Sequence, residues 1–307
     1  MGYEDPAHLY IERHGNVADV SDLIAYADFL RKESGITDDP PINLNAISLR
    51  FGIPVPQAAR LKDQQGALVS TSDGIPQILV KADDSRYRQR FTHAHELMEF
   101  LFLDSPGDVK IEYSKPTIFR GAKERVCQVG AAHLLMPQST FRPQAITLGL
   151  SFHSAEKLAG IFEVSFMASL FRLIDQYENE AALILWKMKN KPKEIRNKIS
   201  DKQLQIPGFE GSFLSKPQLR VEWSYGTINS VFIPRDKSIQ EESSTYKTWE
   251  TGNYSLAPEP FPFGKLNSKA IFENKTIAVD GETFVLSLIT CNASVRKISD
   301  AIIPTIL

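Results

Sequence analysis

The stretch that most restricts what this chain can become is Arg90-Phe91-Thr92-His93-Ala94-His95-Glu96-Leu97-Met98-Glu99-Phe100-Leu101-Phe102. Read as a helix, residues four apart share a face, so His95 and Glu99 project together. Glu96 lies about one hundred degrees further round. Phe91, Ala94, Leu97, Met98, Leu101 and Phe102 make the helix apolar on nearly every side, which predicts a buried helix. An imidazole and two carboxylates buried there without partners would cost a great deal of free energy. A divalent metal removes that cost, because it satisfies donors and charge together.

His-Glu-x-x-His places two metal-binding histidines and a glutamate base on one helix. Here the last position is Glu99, so the strict motif is absent. On these five residues alone, a hydrogen-bonded polar pocket or an ion pair is the simpler reading. A third carboxylate, Glu124, opens a second helical segment that runs to Leu134-Leu135-Met136-Pro137. Gly130, Ala131 and Ala132 are small enough to let this helix pack closely on the first, which would bring Glu124 beside His95 and Glu99. Read by itself, Glu124 is an ordinary first-turn acid favoured by the helix macrodipole.

Together these segments resemble the ImmA/IrrE metallopeptidases. Arg88-Gln89-Arg90-Phe91-Thr92-x-Ala94-His95-Glu96-Leu97 looks like their active-site helix, and Glu124 to Pro137 like the helix that supplies the third ligand. The hairpin upstream, and Leu158-Ala159-x-x-Phe162-x-Val164-Ser165 downstream, follow in the same order; the resemblance spans residues 20–175. It implies His95 and Glu124 as metal ligands and Glu96 as general base, with Glu99 in the second-histidine slot. Zinc is the implied metal. Oxygen donors in place of nitrogen shift the preference toward manganese, and the added negative charge acidifies a bound water less well. His93 and His133 are substitute ligands ranked below Glu99. The first points to a different face from His95, and the second sits about half a turn away from Glu124.

The fold class expected is α+β. A zincin-like helical protease domain with a small hairpin or sheet and a helix-turn-helix-like pair occupies residues 1–178, and a β-rich, GAF-like regulatory domain occupies 179–307. At 307 residues the chain suits two domains at roughly 150 residues each. Expected helices cover 18–33, 44–51, 84–103, 121–136 and a pair over 153–177; a hairpin covers 66–81. Pro76 suits an edge strand, where an extended substrate could add by β-augmentation. Beyond residue 180, strands are expected at 183–186, 218–223, 230–233, 270–272, 276–279 and 284–289. The run Pro258 to Phe263 reads as an extended loop that could form a lid. Aromatics such as Trp223, Phe232, Phe261 and Phe263 form a core or line a ligand pocket.

Net charge is −2, so no global attraction to nucleic acid or an anionic membrane is expected. The pair at 153–177 is itself net negative, which favours a packing element over a DNA reader. The lysine-rich segment Lys187 to Lys202 reads as a solvated linker. Two separated cysteines, Cys127 and Cys291, suit a reducing compartment. With no secretory signal or membrane span in the sequence, the expected localisation is cytoplasmic. The resemblance implies a protein substrate, a helix-turn-helix repressor whose cleavage switches on a stress, phage-defence or mobile-element response. It also admits a small-molecule or nucleic-acid-derived signal at the C-terminal domain. Two other readings stand beside it: a pseudo-protease acting as a binding or sensing module, and a DNA-binding regulator using residues 153–177.

Overall fold

The computed structural model describes residues 2–17, 19–102, 122–177, 179–191, 216–226, 228, 231–263, 269–279 and 281–291. It is an α+β structure divided into two compact units, Met1–Leu148 with His153–Arg172, and Gly149–Phe152 with Leu173–Ile302. The expected lysine-rich linker lies outside the described residues from 192 onward.

In the first unit, helices α1 (Pro6–His14), α2 (Val20–Glu33) and α3 (Leu44–Arg50) precede a three-stranded sheet of β1 (Gln57–Ala59), β2 (Gly66–Ser70) and β3 (Pro76–Lys81). The strand order is β1-β3-β2, with β1 parallel and β2 antiparallel to β3. Pro76 is therefore on the central strand, contrary to the edge placement expected from its chemistry. It is tolerated because it is the first residue of β3. It pairs with Ser70 on β2, while β1 reaches only from Leu79 to Lys81. The edge strands are β1 and β2, and of these β2 is the longer.

The chain then enters α4 (Arg86–Glu99), followed by a 3-10 turn at Phe100–Phe102. Ser85 caps α4 by accepting from the Arg88 amide at 3.3 Å. Thr92 to Met98 are all buried, as the apolar periodicity requires. α5 (Ala122–Leu135) packs against α4, and the close approach depends on Gly130. A Cβ there would lie 2.4 Å from Met98 Cε and 3.0 Å from its Cγ. α2 holds both helices, because the Tyr26 hydroxyl donates to the Leu97 carbonyl at 3.3 Å and Arg31 Nη1 to the His133 carbonyl at 3.1 Å.

α6 (Gln138–Leu148), α7 (Phe152–Phe162) and α8 (Phe166–Asp175) follow. Ser165 caps α8 by accepting from the Ala168 amide at 3.1 Å. Between these last two helices, Glu163 sits at φ 51° and takes two bonds from Arg86 at 2.8 and 2.9 Å.

The second unit is built on an antiparallel sheet of β4 (Ala181–Lys189), β5 (Gln218–Gly226), β6 (Ser255–Pro260), β7 (Lys269–Val279) and β8 (Glu282–Thr290), in the order β5-β4-β8-β7-β6. α9 (Ser244–Thr251) packs against β6, β7 and β8. Trp186, Val221, Phe272 and Ile289 are fully buried in its core.

Three expectations change here. The segments 270–272 and 276–279 are one strand, β7, whose polar middle holds the buried Asn274. That side chain donates to Ser244 Oγ at 2.9 Å and accepts from Thr245 Oγ1 at 3.1 Å, so polarity inside the strand is satisfied rather than a break. Of the strand expected at 230–233, residue 230 lies outside the described residues, and 231–233 make only a single bridge, Ile228 to Val231. The expected loop at Pro258–Phe263 begins as the edge strand β6, where Pro258 and Pro260 leave no ladder donor unmet. Phe261 and Phe263 then turn into the core, and Phe263 stacks on Trp186 with ring centroids 6.1 Å apart. A segment anchored this way is no lid.

Candidate metal centre

His95 and Glu99 lie one helical turn apart on α4, with Nε2 to Oε1 at 3.7 Å. From α5, Glu124 brings Oε2 to 3.5 Å from the same Nε2. His95 thus meets both Glu99 and Glu124, but these three do not form a set of donors that all lie within 4.8 Å of one another. Two neighbours complete the surroundings. Lys123 places Nζ 3.1 Å from Glu99 Oε1. The buried Cys127 thiol joins His95 and Glu99 in a set whose donor atoms all lie within 4.8 Å of one another. Neither Lys123 nor Cys127 stands out in the sequence as a member of the site. The signal available is spacing, since Glu124 and Cys127 are three apart and so share a face of α5.

Glu96 is 5% exposed, and its Oε2 accepts no hydrogen bond among the described residues. Burial, reinforced by the Glu99 charge, pushes its carboxyl up to about 7 against the weaker pull of His95 and Lys123. Gly66 of β2 covers it: a Cβ at that position would lie 2.6 Å from Glu96 Oε1 and 2.3 Å from Thr92 Cγ2. The end of β2 is thereby held directly over the carboxylate, and only glycine allows that approach.

Burial pulls His95 down, but the adjacent Glu99 and the charges of Glu124 and Glu96 outweigh it, so the imidazole sits above its ordinary value. Contact with His95 holds Glu99 low against the effect of burial, helped by Lys123. Three carboxylates thus surround one imidazole, with one ammonium group beside them. A divalent cation fits that donor set: it would meet nitrogen and oxygen donors of ordinary metal-binding type and offset the surplus negative charge.

His93 and His133 take other roles. His93 Nε2 lies 2.7 Å from Ser48 Oγ on α3, and burial together with the Arg90 charge lowers it to about 3. His133 faces Arg172, whose Nη1 and Nη2 lie 3.0 and 3.3 Å from its two ring nitrogens. Burial, then the charges of Arg172 and Arg31, hold His133 well below its usual range. A depressed histidine makes the unfolded chain the better proton acceptor below about pH 6.5. Stability from this group is therefore complete above that pH and falls as pH drops, by about 1.4 kcal/mol per pH unit. Between about pH 6.5 and 5.5, where the unfolded group is only partly protonated at the upper end, urea unfolding should show wild type losing about 1 kcal/mol more than His133→Gln. Equal losses would show that His133 accepts a proton in the native state.

A small sheet laid over a buried His-Glu-x-x-Glu helix, with a second helix bringing further donors, is the arrangement of a metallopeptidase-type domain. Residues 50–173 match the peptidase-family model described as IrrE N-terminal-like domain, and this segment belongs to the ImmA/IrrE family. Among solved structures, a Mycobacterium tuberculosis transcriptional regulator is similar at 14% identity with a TM-score of 0.53, covering 94% of this chain and 80% of its own. At that identity the likeness is one of fold. No curated protein sequence matches the chain. No helix among the described residues is long and apolar enough to cross a membrane.

Proposed function

We propose that this protein is a metal-dependent endopeptidase that cleaves a regulatory protein, with Glu96 as its general base. The observation that carries the reading is the Glu96 carboxylate, buried beside His95 and Glu99 with one oxygen unpartnered among the described residues. Nothing in an ordinary packed core accounts for that group, whereas a peptidase needs a carboxylate held in this way. His95 and Glu99 on α4 and Glu124 on α5 would hold the ion, zinc or manganese. When bound, it supplies Lewis-acid polarisation of a carbonyl and raises the acidity of a water.

The remaining steps belong to the chain. Glu96 accepts a proton from the attacking water at Oε2 and returns it to the leaving amine. A shift of its carboxyl toward neutrality suits a group that must both take and give a proton. The free side of β2 offers backbone donors and acceptors to a peptide in extended form, and Gly66 places that peptide over Glu96.

A regulatory setting fits the family, and the structurally similar mycobacterial protein is described as a transcriptional regulator. A helix-turn-helix repressor as substrate, with release of a stress, phage-defence or mobile-element response, follows from that likeness. The second unit would be a GAF-like sensor under the same reading, taking a small-molecule or nucleic-acid-derived signal. The pair α7–α8 serves as packing, because Glu163 between its helices is neutralised by Arg86 instead of facing a phosphate.

One observation favours a second reading. The Lys123–Glu99 ion pair satisfies a ligand without metal, as in a pseudo-protease retained for binding or sensing. Elemental mass spectrometry of the purified protein separates the two. About one equivalent of zinc or manganese, lost in His95→Ala, is expected for the peptidase. Protein that is metal-free and refuses added zinc and manganese is the pseudo-protease result.

Glu99→His is expected to raise zinc affinity at least about tenfold, or about 1.4 kcal/mol, because zinc prefers an imidazole nitrogen to a carboxylate oxygen as donor. Competition against a chromophoric chelator measures this. An unchanged affinity would mean that the residue at this position does not face the ion.

A further inference from the structure

Resting on the metal-centre reading above, we infer that Cys127 is a thiolate ligand of the same ion. The inner set would then be His95, Glu99 and Cys127, with Cys127 taking the inner place given to Glu124 above and Glu124 becoming the exchangeable outer donor. The geometry behind this has two parts. Among the described residues, these three are the group whose donor atoms all lie within 4.8 Å of one another. Glu124 meets His95 at 3.5 Å, but its side chain is 60% exposed and its Oε1 accepts from Gln128 Nε2 at 3.0 Å. A residue held by solvent and by a neighbour on its own helix is the natural one to move aside for a substrate. Cys127 is fully buried and has no comparable freedom.

Helix periodicity makes the arrangement local and robust. α4 presents His95 and Glu99 at i and i+4, and α5 presents Glu124 and Cys127 at i and i+3, so each helix turns one face to the same point. The Gly130–Met98 contact, one turn further along α5, fixes the spacing of the helices. An independent sign that a ligand belongs here is Glu96, more than nine-tenths buried and unpartnered at Oε2 among the described residues, beside Glu99 and His95.

Burial, reinforced by the charge of Glu99, pushes the Cys127 thiol far up, so without an ion it stays protonated. A bound cation reverses that, because a coordinating thiol loses its proton on binding. One carboxylate and one thiolate, with a neutral imidazole, balance a divalent ion. Three inner donors leave a position open, as a catalytic site requires. A sulfur donor also turns the preference back from manganese toward zinc.

The test is cobalt(II) substitution of the full-length protein, read by absorption. Ligand-field bands in the visible report that cobalt binds at all, whereas a sulfur-to-cobalt charge-transfer band in the near ultraviolet reports thiolate ligation. Wild type is expected to show both. Cys127→Ser should lose the charge-transfer band. Its cobalt affinity should fall by more than the roughly 10–100-fold that loss of an outer-shell partner costs. Glu124→Ala and Cys291→Ser should keep the band. Ligand-field bands in wild type without a charge-transfer band would overturn Cys127 as a ligand and leave the metal centre standing. A charge-transfer band that survives in Cys127→Ser but vanishes in Cys291→Ser would assign the thiolate elsewhere and also overturn it. No bands of either kind would overturn the metal centre and the thiolate together. The wild-type spectrum decides whether a thiolate binds, and Cys291→Ser decides whether it is the other cysteine, so a poorly folding Cys127→Ser does not rescue the inference.

Discussion

Glu96→Gln should lower peptide hydrolysis by about 10²–10⁴-fold, the range a positioned general base contributes, while metal content stays near wild type. The substitution keeps size and shape, so β2 still covers the side chain and the 2.6 Å approach of a Gly66 Cβ position to Oε1 is unchanged. What is lost is the lone pair that takes a proton. An amide in this place also relieves the cost of a carboxyl held at about 7 by burial, so the variant should fold at least as well as wild type. The assay is a peptide library digested by metal-loaded protein, with new termini read by mass spectrometry, beside metal content of the same preparation. Full cleavage by the Glu96→Gln variant would remove the base from the mechanism. Joint loss of metal and activity would instead make Glu96 a structural member of the site.

How far the sequence discloses this site follows from which interactions are local. His95, Glu96 and Glu99 are within one turn and a third of helix, and their apolar neighbours announce burial, so the helix and its polar cargo are readable from spacing alone. Glu124 needs a second helix brought alongside, which the small residues around Gly130 foretell. Lys123 and Cys127 flank Glu124 on the same helix but carry no pattern of their own. A lysine beside a glutamate reads as surface, and a lone cysteine reads as core. Only the distance between α4 and α5 turns them into members of the site.

The fold shows the same division. α1 escapes the sequence reading although Asp5-Pro6 is a cap followed by a first-position proline, and the Asp5 carboxylate accepts from the amides of Ala7 and His8 at 2.9 and 3.1 Å. α9 likewise has its cap at Ser243 and its left-handed stop at Gly252, yet strand-like neighbours hide it. β1 has three residues and no alternation, so it exists only through its partner β3. α6 contains Pro143, which reads as a breaker in any local scheme. β6 is obscured for the same reason, because Pro258 and Pro260 are acceptable only on an edge and edges are properties of the sheet.

Gly66→Ala is expected to cut turnover by about 10²-fold, the cost of displacing a reacting group by about 1 Å, with metal content unchanged. The added methyl would sit 2.3 Å from Thr92 Cγ2 and 2.6 Å from Glu96 Oε1, both closer than real Cβ atoms come to their neighbours. Thr92 is β-branched and buried on a helix, so its rotamer resists moving. Relief must come from Glu96 turning away or from β2 lifting off α4. Either movement separates the base from a peptide held on the free side of β2, whereas His95 and Glu99 lie on another part of the helix and keep their places. The two routes leave different kinetic traces. If Glu96 turns, kcat falls while KM stays; if β2 lifts, KM rises as well, because the strand that binds the peptide has moved. Unchanged kinetics in a folded variant would show that β2 does not close over the site in solution, and the proposed path of the substrate along β2 would have to be abandoned with it.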